Sequence, residues 1–468
     1  MNSYRVRATL SALEELRTAA WYGDRTLDLS FPPEWNVSTL NPETPPPLSD
    51  SQIVRALARP VGQPPLRILA AEKVRPLIIV DDLTRPTPCA RVMPFLLEEF
   101  LQAGIGASDV TVLMATGTHG APRADAMAKK IGPEAAAQCR LIVHDDTRDA
   151  VRVGRTSFGT AVYVNREVPA SDLIVGIGGI YPQHSTGFGG GSKLALGVLG
   201  RRSITRLHFG HSSSKGSYDV DNDFRRELDE IARIIGLRSL VSLHVDAGRR
   251  PVRIASGDWE RYYRGEVAFA KQAYRAPLPD GADVVISNAY PIDVSLTFMR
   301  SKGVIPLVHA PPHASKILIS ACSEGVGHHG LFPFISTSKF DRPRRLARYA
   351  LARPRRIPQM VAGRLKRKLV SYSGKGTQPA GQAATFHEQR KSSSPIWLYL
   401  PEQVSLPERI PGMQQVHSWR GILDRVGEQH AGRGTLEVVV YPCSPLQVLD
   451  THTMENASLS SPELQGAD

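Results

Sequence analysis

The chain of 468 residues is too long for one ordinary hydrophobic core, so its length predicts two domains. The 41% hydrophobic and 22% charged residues indicate a globular protein and exclude global disorder. The four cysteines lack CxxC spacing, which excludes a disulfide scaffold and a cysteine-based zinc site. No apolar run approaches the roughly 18 residues that span a bilayer, and charges interrupt the N-terminal residues, so a cytoplasmic location without membrane contact is expected.

Short β-branched runs alternate with amphipathic helical stretches along the chain. The predicted strands cover residues 75–80, 109–114, 171–175, 282–286, 316–319, 395–400 and 435–442, and the clearest helices cover 91–103 and 203–208. Strands that alternate with helices predict an α/β fold with largely parallel sheets flanked by helices. In such sheets ligands bind at the loops beyond the carboxyl ends of the strands, and here those loops hold the site-like residues.

A proline- and glycine-bearing connection at residues 276–281 predicts the domain boundary. The first domain is assigned to residues 1–278 and the second to residues 279–450. The second domain carries a basic insertion at about 339–394, and residues 451–468 lack a periodic apolar face, which predicts a disordered tail.

The net charge of +12 comes from one stretch of the second domain. Residues 339–375 contain thirteen lysines and arginines against a single acid, Asp341, so the rest of the chain is close to neutral. A basic block can bind nucleic acid or an anionic membrane. This one matches no nucleic-acid motif, so we interpret it as a solvated insertion and expect neither partner.

The loop DDLTRPTP, residues 81–88, follows the first predicted strand. Two prolines stiffen it, and the guanidinium of Arg85 suits a carboxylate or a phosphate. Asp82 and Thr84 can orient that arginine or hydrogen-bond a substrate hydroxyl. A purely structural Asp–Arg pair is the alternative. The next strand ends in ATGTH, where His119 is a candidate general acid or base, with a structural histidine as the alternative.

The segment GIGGIYPQHSTGFGGGSK, residues 176–193, is rich in glycine and ends in Lys193 before a predicted helix. Glycines such as Gly189, Gly190 and Gly191 let backbone amides approach an anion closely. The segment is not a Walker A loop, because Ser192 stands where that motif has a glycine before the lysine. It is not a dinucleotide fingerprint either, because the same Ser192 stands where that motif ends in glycine or alanine. The pattern predicts a phosphate-bearing ligand in a nonstandard loop.

Several histidines could serve as metal ligands. His208 and His211 lie on one face of the helix that follows the glycine loop, although no carboxylate lies near them in the sequence. His144 and the pair 328–329 are interpreted as ordinary surface or loop histidines.

The order of the motifs along the chain resembles that of the nickel-dependent lactate racemase family. The motifs are DDLTRPTP, GTH, GGIYPQHSTGFGGGSK and then a helix with His208. Further similar segments are WYGDRTLDLSFPPEW, NAYPIDVSL and ACSEGVG, so the resemblance covers most of residues 20–450 apart from the basic block. It implies a two-domain α/β enzyme, with a lactate racemase-like N-terminal domain and an active-site cleft between the domains. It also implies isomerase activity on a 2-hydroxy acid.

The resemblance also implies a cofactor, a nickel-pincer pyridinium mononucleotide attached covalently to Lys193, with His208 as the nickel ligand. Arg85 matches the residue that binds the substrate carboxylate, and His119 matches one of two base histidines. Enzymes that synthesise the cofactor are implied as partners for maturation. His208 aligns with the nickel-binding histidine of the family if KLALG lacks one residue of the family motif. With that deletion, His211 does not align with it.

The sequence departs from the family pattern at the second base. The family histidine aligns with Gln183, which cannot accept a proton at neutral pH. Either the neighbouring His184 serves as the second base through a shifted loop, or the enzyme works on one face of its substrate only. In the second domain, Lys302 or Arg300 is the nearest cation after the YPID turn, and no glutamine is present. Gly120 follows the GTH motif where the family has arginine. Racemisation of lactate itself is therefore not expected.

Three functions remain open on the sequence alone. The leading one is a racemase or epimerase that acts on a 2-hydroxy acid other than lactate. The second is one-sided redox or elimination chemistry with the same cofactor. The third is a non-catalytic protein that binds a nucleotide or an anionic metabolite through Lys193.

Overall fold

The computed structural model describes residues 13–183, 185–211, 218–300, 302–332 and 395–450. The basic insertion, the tail after residue 450 and His184 lie outside the described residues. In the described part of the chain, no helix is long and apolar enough to cross a bilayer.

Most strands are short, and many are buried on both faces. The strands are β1 Leu13–Thr18, β2 Arg25–Ser30, β3 Asn36–Thr39, β4 Pro76–Asp81, β5 Thr111–Ala115, β6 Arg140–Val143, β7 Ala150–Arg155, β8 Ala161–Asn165, β9 Leu173–Gly179, β10 Pro182–Gln183, β11 Gly187–Phe188, β12 Leu237–Val245, β13 Pro251–Gly257, β14 Arg275–Ala276, β15 Val284–Asn288, β16 Ser315–Ile319, β17 Ile396–Tyr399, β18 Met413–Val416, β19 Glu437–Tyr441 and β20 Val448–Leu449.

Helices connect most of the parallel strands. They are α1 Asp50–Ala58, α2 Leu66–Leu69, α3 Met93–Gln102, α4 Ala126–Ile131, α5 Pro133–Gln138, α6 Glu167–Ala170, α7 Lys193–Leu196, α8 Arg201–Gly210, α9 Asp223–Ile234, α10 Trp259–Ala273, α11 Leu296–Met299, α12 Ile305–Val308 and α13 Trp419–Gln429. Two short 3₁₀ turns cover Cys89–Arg91 and Ala107–Asp109.

Two six-stranded sheets organise the described residues. The first has the order β13-β12-β9-β4-β5-β6 and is parallel except for the edge pair β12–β13. The second has the order β18-β17-β16-β15-β19-β3 and is parallel throughout. The central strands β4, β9, β15 and β16 are buried along their whole length because helices cover both faces of each sheet. The predicted fold class is therefore confirmed.

The second sheet includes a strand from the N-terminal part of the chain. β3 pairs with β19, and Leu16 and Leu29 of the β1–β2 hairpin join the apolar core of that sheet. The assigned first domain, residues 1–278, thus contributes structure to the second sheet, which the sequence analysis did not foresee. The domain bounds themselves stay a prediction.

The segment after β15 ties the two sheets together. Tyr290, Ile292 and Phe298 belong to the apolar core of the first sheet although they follow a strand of the second. Asp293 is fully buried and accepts hydrogen bonds from the backbone N–H groups of Ala19 at 2.8 Å and Ala20 at 3.1 Å. The carboxyl edges of the central strands of both sheets therefore meet at one cleft.

Replacing Asp293 tests this connection. Asp293→Ala would leave two buried N–H groups without an acceptor, so we expect it to lower the free energy of unfolding by about 3 kcal/mol in denaturant titrations. The matched control is Asp424→Ala, which removes an exposed ion pair with Arg420 on α13 and should cost less than about 0.5 kcal/mol. Equal effects of the two changes would contradict the role given to Asp293.

Candidate active site

The loop after β4 contains a carboxylate that fixes a histidine. Asp82 is buried and accepts hydrogen bonds from the backbone N–H of Thr84 at 3.0 Å and from its hydroxyl at 2.5 Å. Its other oxygen lies 2.6 Å from Nδ1 of His119, in the loop that follows β5. Burial opposes ionisation, but His119, Arg85 and Thr84 together hold the pKa of Asp82 well below its usual range.

The Asp82 carboxylate determines which nitrogen of His119 carries the proton. An ionised carboxylate only accepts hydrogen bonds, so Nδ1 of His119 is the donor and Nε2 of the neutral ring is left as an acceptor. Burial lowers the pKa of His119, and Asp82 only partly offsets this effect. The imidazole is therefore neutral at neutral pH, as a general base requires.

Asp82 and Thr84 both contact His119, which the sequence analysis did not foresee. Both oxygens of Asp82 have protein partners. Thr84 donates to Asp82, and its hydroxyl also lies 3.4 Å from Nδ1 of His119. The two residues therefore orient the histidine, and their contact with a substrate stays a prediction.

Arg85 lies in the same loop, whose backbone is held by a buried lysine that the sequence analysis missed. Nζ of Lys130 lies 2.6 Å from Asp81 and donates to the carbonyl oxygens of Thr87 at 3.0 Å and Arg85 at 3.3 Å. These contacts fix the backbone from which the guanidinium extends. The sequence does not distinguish Lys130 from the adjacent Lys129, because only helix packing decides which side chain turns inward.

Lys193 is the first residue of α7, directly after the glycine loop. Burial, followed by the positive charges of Arg85 and Arg225, lowers the pKa of Lys193 to about 7. A large fraction of its amine is therefore neutral and nucleophilic near pH 7. Gly176 of β9 lets α7 approach the sheet, since an added Cβ there would lie 2.5 Å from the side chain of Leu194.

Packing within the protein accounts for the glycines of the loop. An added Cβ at Gly189, Gly190 or Gly191 would lie 2.8, 2.7 or 2.8 Å from Tyr181, Ile180 or Tyr263, respectively. The guanidinium of Arg225 donates to the loop carbonyls of Thr186, Phe188 and Gly190. Contact of the three glycines with a cofactor stays a prediction.

Lys302 enters the site from the segment after β15. It is 7% exposed and donates to the carbonyl of Pro182 at 2.5 Å. Burial, and then the charges of Arg85 and Lys193, lower the pKa of Lys302 well below its usual value. We call Arg85, Lys193 and Lys302 the cationic cluster. Among the described residues, none of the three forms an ion pair with a carboxylate, so the cluster suits an anionic ligand.

Two histidines approach His119 from elsewhere in the chain. The ring of His329 lies 5.2 Å from the ring of His119, and both pack against Phe298. Phe332 contacts His329 on one side and His208 on the other, with ring centroids 5.3 and 5.4 Å apart. The interpretation of His329 as an ordinary loop histidine was wrong. Its position in the loop that follows β16 could have indicated a place in the site, because ligands bind at such loops.

Gly120, the departure from the family pattern after GTH, accommodates the loop with His328. Its φ is +85°, and an added Cβ would lie 2.9 Å from the ring of His328. The missing side chain at position 120 thus allows the second-domain loop to close against the first.

Gln183 braces the glycine loop. Its side-chain oxygen accepts hydrogen bonds from the backbone N–H groups of Ser185 and Thr186, both at 2.8 Å, and from both hydroxyls at 2.9 Å. Its amide oxygen is therefore occupied within the loop, and a catalytic role for Gln183 stays a prediction. The position of His184, the alternative base, lies outside the described residues.

His208 and His211 differ in their surroundings. His211 pairs with the buried Glu227 of α9 and stacks on Phe224. His208 faces Phe332, and its charge contributes to the low pKa of His329, so it lies on the side of the cleft. This geometry favours His208 over His211 as the candidate metal ligand.

The chain is similar to known proteins over most of its length. The lactate racemase N-terminal domain matches residues 22–218. The lactate racemase of Thermoanaerobacterium thermosaccharolyticum is 28% identical over 62% of this chain and 70% of its own, and that of Lactiplantibacillus plantarum is 26% identical over 66% and 74%.

Solved structures share the fold. The lactate racemase apoprotein from T. thermosaccharolyticum has a TM-score of 0.66 at 21% identity, over 94% of this chain and all of the other. A crystal structure of a Thermotoga maritima protein has a TM-score of 0.55 at 16% identity, over 87% of this chain and all of the other.

Fold and site define a two-sheet α/β protein with a carboxylate-oriented histidine beside a cationic cluster. The chain is similar to lactate racemases, and its residues 22–218 match their N-terminal domain. The matched domain contains Arg85, His119, Lys193 and His208, whereas Lys302 and His329 lie beyond it.

The low pKa of Lys193 has a measurable consequence. A lysine whose folded pKa is lowered is neutral above that value, so acylation of Lys193 should rise with a midpoint near pH 7, as measured by peptide mass spectrometry. Arg85→Gln removes the positive charge that lowers the pKa of Lys193 most, so the midpoint should move to higher pH. Arg420→Gln, an exposed change on α13, should leave it unchanged.

A midpoint for Lys193 near that of ordinary exposed lysines, at about pH 10.4, would contradict the burial and charge argument.

Proposed function

We propose that this protein is an isomerase, a racemase or epimerase of a 2-hydroxy acid other than lactate, which uses a nickel-pincer pyridinium mononucleotide attached to Lys193. The observation that carries the proposal is the His119–Asp82 pair beside the cationic cluster. Similarity to two lactate racemases supports racemase-like chemistry.

The residues present fit such a cofactor. The amine of Lys193, with a pKa of about 7, is suited to covalent attachment, and Arg85 and Arg225 provide positive charge near a phosphate. In the described part of the chain, no group of three or more histidine, cysteine, aspartate or glutamate side chains could hold a metal ion, so nickel would need donors from the bound group besides His208. When bound, such a nucleotide supplies the hydride acceptor and donor.

The chain's own residues would bind the acid and move one proton. Arg85 would pair with the substrate carboxylate, and Lys302 would add a polar contact from the second domain. His119 would accept the hydroxyl proton at Nε2, and Asp82 would stabilise the imidazolium that forms. Return of that proton from the same nitrogen completes the cycle for one enantiomer.

One-sided redox or elimination chemistry is the second candidate. It is favoured by Gln183, whose amide oxygen is occupied by the glycine loop and whose side chain cannot accept a proton at neutral pH. A loop shift that brings His184 to the cleft would restore two-sided chemistry. A non-catalytic binding protein would leave the His119–Asp82 pair without a purpose.

Attachment and nickel binding can be tested separately on protein co-produced with enzymes that synthesise the cofactor. We expect intact-mass spectrometry to show an adduct at Lys193 that is lost in Lys193→Ala. His208→Ala should retain the adduct and lower the nickel content, whereas His211→Gln, which keeps a hydrogen bond to Glu227, should retain both.

Active, nickel-containing protein with an unmodified Lys193 would refute the attachment. Loss of nickel in His211→Gln but not in His208→Ala would reverse the assignment of the ligand.

The central test of function is the conversion of each enantiomer across a panel of 2-hydroxy acids, followed by chiral chromatography and by the isotope effect of deuterium at C2. His119→Gln should slow the reaction of one enantiomer by about 10²–10⁴-fold, because a general base is removed. Wild-type interconversion of both enantiomers that falls in His184→Ala would support a racemase with His184 as second base. Conversion of one enantiomer alone, with racemisation gained in Gln183→His, would support the one-sided alternative.

Failure to convert any 2-hydroxy acid, in protein that carries adduct and nickel, would refute both candidates.

A further inference from the structure

Two neighbouring histidines of the cleft are held in opposite tautomers. In His119 the proton lies on Nδ1, because that nitrogen faces the Asp82 carboxylate at 2.6 Å. The ring of His329 lies 5.2 Å away. Its hydrogen-bond partners are of the opposite kind.

Nδ1 of His329 is surrounded by hydrogen-bond donors. The backbone N–H groups of Leu331 and Phe332 both donate to it at 3.3 Å. The hydroxyl of Thr118 lies 3.2 Å from the same nitrogen and can donate as well. A nitrogen that accepts these bonds carries no proton, so the neutral ring has its hydrogen on Nε2.

The same environment keeps His329 neutral. A second proton would have to sit on Nδ1, where it would meet the N–H groups of Leu331 and Phe332. Burial and the positive charges nearby lower the pKa of His329 well below its usual value, in agreement with the geometry. His329 is therefore a neutral donor and has no free lone pair with which to act as a base.

The loop that carries His329 is fixed to the loop that carries His119. The backbone N–H of Gly330 donates to the carbonyl of Thr118 at 2.7 Å. Thr118 immediately precedes His119, so its two contacts couple the tautomer of one histidine to the position of the other. The ring centroids lie 5.2 Å apart, and the tautomers leave an acceptor at Nε2 of His119 and a donor at Nε2 of His329.

We propose that His329 donates a hydrogen bond from Nε2 to the C2 oxygen of the bound 2-hydroxy acid, while His119 removes the proton from that oxygen. This inference rests on the proposed function and assigns it a further catalytic residue. As the hydroxyl proton moves to Nε2 of His119, the oxygen gains negative charge, which the His329 N–H stabilises without transferring its own proton. Neutral imidazole suits this task, because it strengthens its bond as charge develops and leaves its proton in place.

The consequence is an asymmetric site. The cleft places one base and one donor at the same oxygen, so His329 does not replace the second base that is missing at Gln183. A base there would require a ring nitrogen free to accept a proton.

The tautomers can be measured without cofactor or turnover. In ¹⁵N-histidine-labelled apoprotein near pH 7, long-range NMR correlations should show His329 protonated at Nε2 and His119 at Nδ1, with assignments from His329→Gln and His119→Gln. Glycolate should shift the His329 Nε2 resonance, whereas acetate, which lacks the hydroxyl, should shift it less. A proton on Nδ1 of His329 would overturn the proposal. So would equal shifts from glycolate and acetate, or no shift from either acid.

Turnover separates a donor from a base in loaded protein. Glutamine also presents an N–H, so His329→Gln should keep activity within about tenfold, whereas His329→Leu should lose about 10²–10³-fold in kcat. His417→Leu, at an exposed position directly after β18, is the control and should retain activity. Equal losses in the glutamine and leucine variants would overturn the donor role.

The two proposals fail differently. A wild-type enzyme that converts no 2-hydroxy acid would refute the proposed function. The NMR measurement would still decide the tautomer of His329 and its contact with a hydroxy acid.

Discussion

Two consecutive aspartates at the end of β4 are the negative charges around which the cleft is arranged. Asp81 pairs with the buried Lys130, which holds the loop backbone, and Asp82 pairs with His119. Both carboxylates are thereby used within the protein, and the nearby cationic cluster has no carboxylate of its own among the described residues. The cleft is thus built with an excess of positive charge that an anionic ligand can neutralise. Burial, and then the neighbouring positive charges, lower the pKa of Lys193 and Lys302.

The chemistry of the cleft depends on which atoms surround each imidazole. His119 faces a carboxylate and His329 faces N–H groups, so two identical side chains acquire opposite abilities at the same place. One can take a proton, and the other can only donate a hydrogen bond. Gln183, turned into the glycine loop, adds no base. Of these three side chains, His119 is therefore the candidate base.

Similarity to lactate racemases does not carry every feature of those proteins to this chain. The departures after GTH and at the second base have physical counterparts here. Gly120 makes room for His328, so the loop with His329 can approach the loop with His119, and Gln183 satisfies donors of the glycine loop. Both differences therefore affect how loops pack around His119 and Lys193.

The sequence by itself determined the α/β class, because β-branched runs that alternate with amphipathic helices allow few other folds. It also identified the loops at the strand ends, and within them Arg85, His119 and Lys193 as candidates, since ligands of parallel sheets bind there. Lys302 was found only through the resemblance to lactate racemases.

Only the tertiary structure decided the partners of these residues. Asp82 and Thr84 serve His119, the glycines pack against Tyr181, Ile180 and Tyr263, and β3 joins a sheet formed mostly by residues after 284. Likewise, a tautomer is set by donors and acceptors distant in the chain, as His329 and Thr118 are 211 residues apart. Local pattern records which side chains are available, whereas hydrogen-bond direction and burial depend on segments that meet only in the folded protein.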